Sequence, residues 1–385
     1  MAKFVPLGIP AFKGKSEEGK IKFTLNIELD DADKMLVQIR NGAESIYEEE
    51  ITDPKMLTQG SHDWYWDGFD ENEILDTAFL TKAHLNLLMR VWKDDETEFS
   101  TIDFNAEYDQ VNWVDVKINK KEKRIDVTLR VNLKDGGEYG TQKDCNEMGR
   151  TRRAPIILDC PWDKIPKEAL SYYGKSPIKK RTKSFEDLER LALEGLNYHW
   201  GRNRDHFIAK DVTINDEKYE VFVNAVNTTE NTMDDVDLIF NTNNPWLRSM
   251  NPGSVDGIIS FFGQVMPERI VYNYGYMKGD NMWYWLGNKE ADVNDDFSYT
   301  SAHEIGHEIL KSFSKKSFHS YKHKGSSTLS DAKPIDNGGV SYPKSGEIDL
   351  MKYYNDDPYW YDFERIAAHE DDVLGLIWLT KMELK

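Results

Sequence analysis

Hydrophobic and polar positions alternate from Ile21 onward, where IKFTLNIEL sets apolar side chains on one side of an extended chain. MLVQIR and LNLLMRVW repeat the signal, so short β-strands are expected through the first third of the sequence. Between them, HDWYWDGFDENEILDTAFLT carries the turn Trp66-Asp67-Gly68, then Asp70-Glu71-Asn72 and a further strand, which reads as a hairpin corner in a small sandwich. A second β unit begins near Val111, where VDVKIN and RIDVTLRVNL flank Lys120-Lys121-Glu122-Lys123 as a hairpin. The period then changes. In SFEDLERLALEGLNYHW, Phe185, Leu188, Leu191, Leu193 and Leu196 recur at helical spacing behind Ser184, with Glu186 and Asp187 in the first turn, so an amphipathic helix is expected up to Trp200. KYEVFVNAV, VDLIF and ERIVYNYGYM return to strand-like patterns, and the mixture predicts the α+β class. The organisation expected is a tail over residues 1–20, a small β-sandwich over 21–110 acting as an adaptor or binding domain, and a larger domain over 111–385.

Composition narrows the function. A chain of 385 residues with 39% hydrophobic and 12% aromatic side chains can bury real cores, which excludes one that stays disordered. Its 49 basic and 68 acidic residues leave a charge of −19, a field that repels phosphate backbones and anionic lipid, so no nucleic-acid partner is expected. The most basic stretch, Lys175 to Lys183, contains Pro177 and reads as a solvated linker. No run approaches the apolar length of a membrane span, and the first residues lack the apolar core of a secretory signal; synthesis in the cytoplasm without a signal peptide is expected. Cys145 and Cys160 fit no zinc ribbon and read as two free thiols, the alternative being a disulfide closed between them in an oxidising compartment.

The informative chemistry lies in YTSAHEIGHEIL, which contains His303-Glu304-Ile305-Gly306-His307. On a helix, positions i and i+4 share a face, so both imidazoles can bind one metal ion while Glu304 is placed as the general base of a metallopeptidase. Ser301 and Glu304 have capping-box spacing, and Ala302, Ile305, Ile309 and Leu310 supply an apolar side, so the motif is expected near the start of a buried helix. A catalytic zinc site needs a third protein ligand beside an open position. Leu310 and Phe313 stand where the compact HExxHxxGxxH form has Gly and His, which excludes that form. Glu370 on the C-terminal helix is a candidate, although Leu374 stands where a supporting Asp is often found. His323 in YKHKGSS and Glu347 in GEIDLMKYY are the others, each flanked by Gly and small polar residues that permit tight turns.

The ordered series SAHEIGHEIL, SYKHKGSS, GEIDLMKYY and a terminal helix ending LIWLTK resembles the metallopeptidase domain at the C-terminus of some type VI secretion spike (VgrG) proteins and of related stand-alone effectors, over roughly residues 180 to 385. The resemblance implies a zincin-like domain with Zn2+ on His303, His307 and Glu347, Glu304 as base, and His323 as a substrate-side or transition-state residue. It also implies an antibacterial effector, secreted into the periplasm of a target cell, that hydrolyses amide bonds in peptidoglycan peptides or periplasmic proteins. Its implied partners are the secretion spike or its adaptor and a cognate immunity protein. Met351, followed by Tyr353 and Tyr354, resembles the Met-turn beneath the metal in metzincins, and either tyrosine is a candidate oxyanion donor. The Trp66-Asp67-Gly68 corner resembles the hairpin of flagellar-hook-cap-like modules, which makes the expected sandwich immunoglobulin-like. The competing expectation is a β-module adaptor whose zinc domain is structural, a state marked by four protein ligands.

Overall fold

The computed structural model describes residues 2–28, 30–142, 147–150, 155–157, 160–250, 268–279, 282–314, 345–351 and 362–385. The first layers are β1 (Ile21–Ile27), β2 (Lys34–Asn41), β3 (Glu44–Ile51), β4 (Gly60–Trp66), β5 (Leu85–Lys93) and β6 (Glu96–Phe104). β1 and β4 pair antiparallel, Ile21 opposite Trp66, and a four-stranded antiparallel sheet runs β3-β2-β5-β6. Period-two alternation buries Ile21 and Leu25 of β1, Met35, Val37 and Ile39 of β2, and Trp66 of β4 in one core. β3 is acidic and at most half-buried along most of its length, and β6 is acidic and almost wholly exposed, which is why their sequence carries little pattern.

The Trp66-Asp67-Gly68 corner is held by the Trp66 indole donating to Phe69 O at 2.8 Å and by an Asp67–Lys120 ion pair. It leads into the short strand Ile74–Asp76, which pairs with β7 (Val114–Asn119) of the next sheet. The chain thus crosses the boundary expected near residue 110. β8 (Arg124–Tyr139) pairs antiparallel with β7, Val114 opposite Leu129 and Asn119 opposite Arg124, the hairpin that the pattern predicts. α1 (Phe185–Trp200) begins at the expected position, with a reciprocal capping box between Ser184 and Asp187. β9 (Glu217–Asn227) then runs parallel to the first half of β8, and β10 (Asp235–Asn241) parallel to its second half. The change of neighbour falls between Val131 and Asn132, and a register shift between Asp135 and Glu138 interrupts the second pairing. β11 (Arg269–Asn273) adds parallel to β10 and packs on α2 (Glu290–Ser314); α3 (Glu370–Trp378) also lies against α2. The class is α+β, with open sheets and more strand than helix.

Three expectations are corrected. The first 20 residues are not a loose tail: Ala2–Phe4 pairs with Met382–Leu384, which pairs in turn with Ala106–Tyr108, and Phe4, Val5 and Ile9 are buried. The helix carrying HExxH starts about three turns before Ser301, whose hydroxyl is buried in mid-helix and donates to Phe297 O at 2.7 Å, so it caps nothing. Cys160 is disulfide-bonded instead of free. The hairpin of Glu147–Arg150 with Pro155–Ile157, Glu147 opposite Ile157, doubles the chain back just before it; the other cysteine, Cys145, lies outside the described residues. Among the described residues no helix is long and apolar enough to cross a membrane.

Candidate active site

The site is built where α1 crosses α2. A Cβ at Gly195 would stand 2.1 Å from Ser298 O, so only glycine lets the two helices approach this closely. The approach delivers Trp200, at the end of α1, to the HExxH turn: its Nε1 donates to Ala302 O at 3.1 Å and its ring edge lies against Gly306. Met351 fills the other side of the same glycine, with Sδ 2.9 Å from where a Cβ would be. Met351 is fully buried.

His303 and His307 sit one turn apart with ring centroids 4.7 Å apart and nearly perpendicular planes. His303 Nδ1 lies 2.8 Å from Leu350 O, and because a carbonyl only accepts, Nδ1 carries the proton and Nε2 keeps its lone pair. Burial holds this imidazole below its ordinary pKa, with the Leu350 carbonyl and the Asp349 charge acting against it. Lost hydration pushes the half-buried Glu304 carboxyl up to about 7, while the Arg248 charge pulls the other way. Two imidazoles a turn apart, the first oriented through Nδ1, beside such a carboxyl are a donor set suited to a divalent ion of the zinc kind.

The segment that orients His303 is itself anchored. Ile348–Asp349 pairs parallel with Ile366–Ala367, and Leu350 N donates to Ala367 O at 2.8 Å. Both His199 Nδ1, at 2.7 Å, and His206 Nε2, at 3.2 Å, reach Ile366 O. His206 Nδ1 accepts from Ile208 N and Ala209 N, which fixes the neutral tautomer.

Glu347 is placed otherwise than as a ligand beside the two histidines. Both of its carboxylate oxygens are taken by Arg202, Nη1 at 2.7 Å and Nη2 at 2.9 Å, and that buried guanidinium also donates to Asp211 O and Ala368 O. Among the described residues no three His, Cys, Asp or Glu side chains are gathered to hold one ion. Glu370 accepts from Thr213 N and helps seat α3. His323, Tyr353 and Tyr354 lie outside the described residues. Sequence reasoning misses Arg248, Asp349, Trp200 and Arg202; Asp349 stands in the quoted GEIDLM motif, and Trp200 and Arg202 in the run WGRNRDH after α1. Comparison with models of known protein families, with curated proteins and with solved structures found no match to the chain.

Proposed function

We propose that the protein is a zinc-dependent metallopeptidase of zincin type, delivered as an antibacterial type VI secretion effector to the periplasm of a target cell. Its substrates are amide bonds of peptidoglycan peptides or periplasmic proteins, its partners the secretion spike or its adaptor and a cognate immunity protein, and its immunoglobulin-like sandwich an adaptor. One arrangement carries the reading: two imidazoles a turn apart, the first held through Nδ1, beside a half-buried Glu304 carboxyl whose proton affinity is raised by lost hydration.

His303 and His307 would hold the ion, with a third ligand still to be assigned. Bound there, zinc supplies a Lewis acid that polarises the scissile carbonyl and activates water near neutral pH. Glu304 takes the proton of the attacking water and returns it to the leaving amine; a carboxyl near 7 suits both transfers. Leu350 O keeps His303 in one tautomer, and Met351 with Trp200 keeps the turn from shifting.

The test is elemental analysis of the reconstituted protein alongside peptide hydrolysis. Roughly one zinc per chain is expected in the wild type and in Glu304→Gln, and little in His307→Ala, with hydrolysis lost in both variants. A wild type without zinc removes the reading. Zinc with hydrolysis unchanged in Glu304→Gln removes the proposed base and favours the structural-zinc adaptor.

A further inference from the structure

The open side of α2 holds a carboxylate that the mechanism leaves unused. Glu290 to Ser314 is one unbroken helix, so Asp296, Thr300, His303 and His307 follow one another along a single stripe. Asp296 and His303 are two turns apart, which sets them within about 20° of each other round the axis and about 10 Å apart along it. The stripe is deepest at His307, which is only 4% exposed, and it opens toward the start of the helix through half-buried His303, Thr300 and Asp296. Two contacts to β11 pin the open end: the Tyr272 hydroxyl donates to Asn294 Oδ1 at 2.9 Å, and the Tyr272 ring meets Phe297 edge to face at 5.5 Å. Asp296 lies between these two anchors, so its place on the stripe is fixed. The acidic residues around it on α2 are otherwise provided for. Glu290 pairs with Lys183, Asp292 with Lys289 and Glu308 with Lys311, while Asp295 is exposed to water. Asp296 is half-buried, yet among the described residues it accepts no hydrogen bond and faces no cation. Lost hydration, with nothing acting against it, pushes this carboxyl up to about 7, and an arriving cation would supply the missing partner.

Resting on the metallopeptidase reading, we infer that Asp296 determines specificity by receiving a substrate ammonium or guanidinium group at the open end of the HExxH stripe. An extended peptide advances about 3.3 Å per residue, so the separation of about 10 Å places that cation about three residues from the bond that is cut. The preferred substrates are therefore peptides with a basic side chain, or a free amino terminus, at that distance. The charge of −19 draws such peptides in at long range, and Asp296 selects among them at contact.

The experiment titrates three hexapeptides into the full-length, zinc-reconstituted Glu304→Gln protein, which binds without turnover, in salt that screens the overall field beyond about 8 Å. One peptide has an internal Lys and both ends blocked, one has Gln in its place, and one has Gln with a free amino terminus. At least one cationic peptide should bind about tenfold more tightly than the neutral one, and which of the two does so identifies the group recognised. Adding Asp296→Asn should abolish the difference at unchanged zinc content. Adding Asp295→Asn instead, which removes the same charge one residue away, should preserve it. Equal affinities, no binding, a preference that survives Asp296→Asn, or one lost equally in Asp295→Asn overturns the inference. Zinc content separates the failures: zinc retained without charge preference sinks only this assignment, whereas a wild-type chain that takes up no zinc sinks the metallopeptidase reading beneath it.

Discussion

At position 306 any side chain would meet the sulfur of Met351 and the indole edge of Trp200, each 2.9 Å from where its Cβ would stand. Alanine there gains about 1 kcal/mol of helix propensity, but overpacking costs about 1–3 kcal/mol and Trp200 is buried and tied to Ala302 O. Gly306→Ala should therefore lower the urea midpoint, and Met351→Ala added to it should recover part of the loss; no recovery would place the whole strain on Trp200. A second effect at this scale is set by protons. Burial pushes His199 down to about 4, below its unfolded value of about 6.5. The unfolded chain then binds the extra proton between those values, so this stability is present above pH 6.5 and is lost as pH falls toward 4. His199→Asn, which can still donate to Ile366 O, should unfold in urea with a visibly smaller loss between pH 7 and 4.5 than the wild type; parallel curves would show that His199 does not supply the slope. His303, Glu304 and His307 are legible in the sequence because their spacing needs one helix and nothing else. Leu350 O is not, since a turn far off in sequence brings it there.

Elements explain why the third ligand is hard to read. GEIDLM looks like a ligand loop because Gly and acidic residues mark both metal sites and anchored turns, and here Glu347 ties the start of the segment to Arg202 while the segment's end orients His303 and floors Gly306. Removing the half-exposed Glu347 strands the buried Arg202 guanidinium, a cost of about 1–3 kcal/mol. Glu347→Ala should thus lose that much stability even without metal, and Arg202→Met with Glu347→Leu should regain most of it. If Glu347→Ala leaves the metal-free protein as stable as the wild type but abolishes zinc uptake, Glu347 is a ligand after all. The hidden start of α2 has a similar cause. Residues 290–300 are rich in Asp, Asn, Ser and Thr, weak helix formers, and Phe297 and Tyr299 hold the segment helical by burial. The α1 pattern, by contrast, is legible because its apolar stripe and its cap agree.

Across the whole molecule, both ends of the chain meet. Ala2–Phe4, Ala106–Tyr108 and Met382–Leu384 share one sheet, so the strand that opens the chain, the passage between β6 and β7, and the strand that closes it are a single element of support. The opening residues also reach the HExxH helix, where the Phe12 and Phe313 rings meet edge to face at 5.8 Å and Phe313 meets Trp378 at 5.3 Å. Pro6, Gly8, Pro10 and Gly14 suggest a tether because they carry no period, but irregular backbone can still bury Phe4, Val5 and Ile9. Each such side chain contributes about 1.5–3 kcal/mol, and three together approach the 5–15 kcal/mol that holds an ordinary domain folded. Deleting residues 1–10 should therefore speed hydrogen exchange in α3 and in β1 and β4 alike, because the lost strand supports both ends of the chain. An independent sandwich on a tethered enzyme makes the opposite demand: the truncated chain would keep wild-type exchange in α3, and each part would unfold in its own transition.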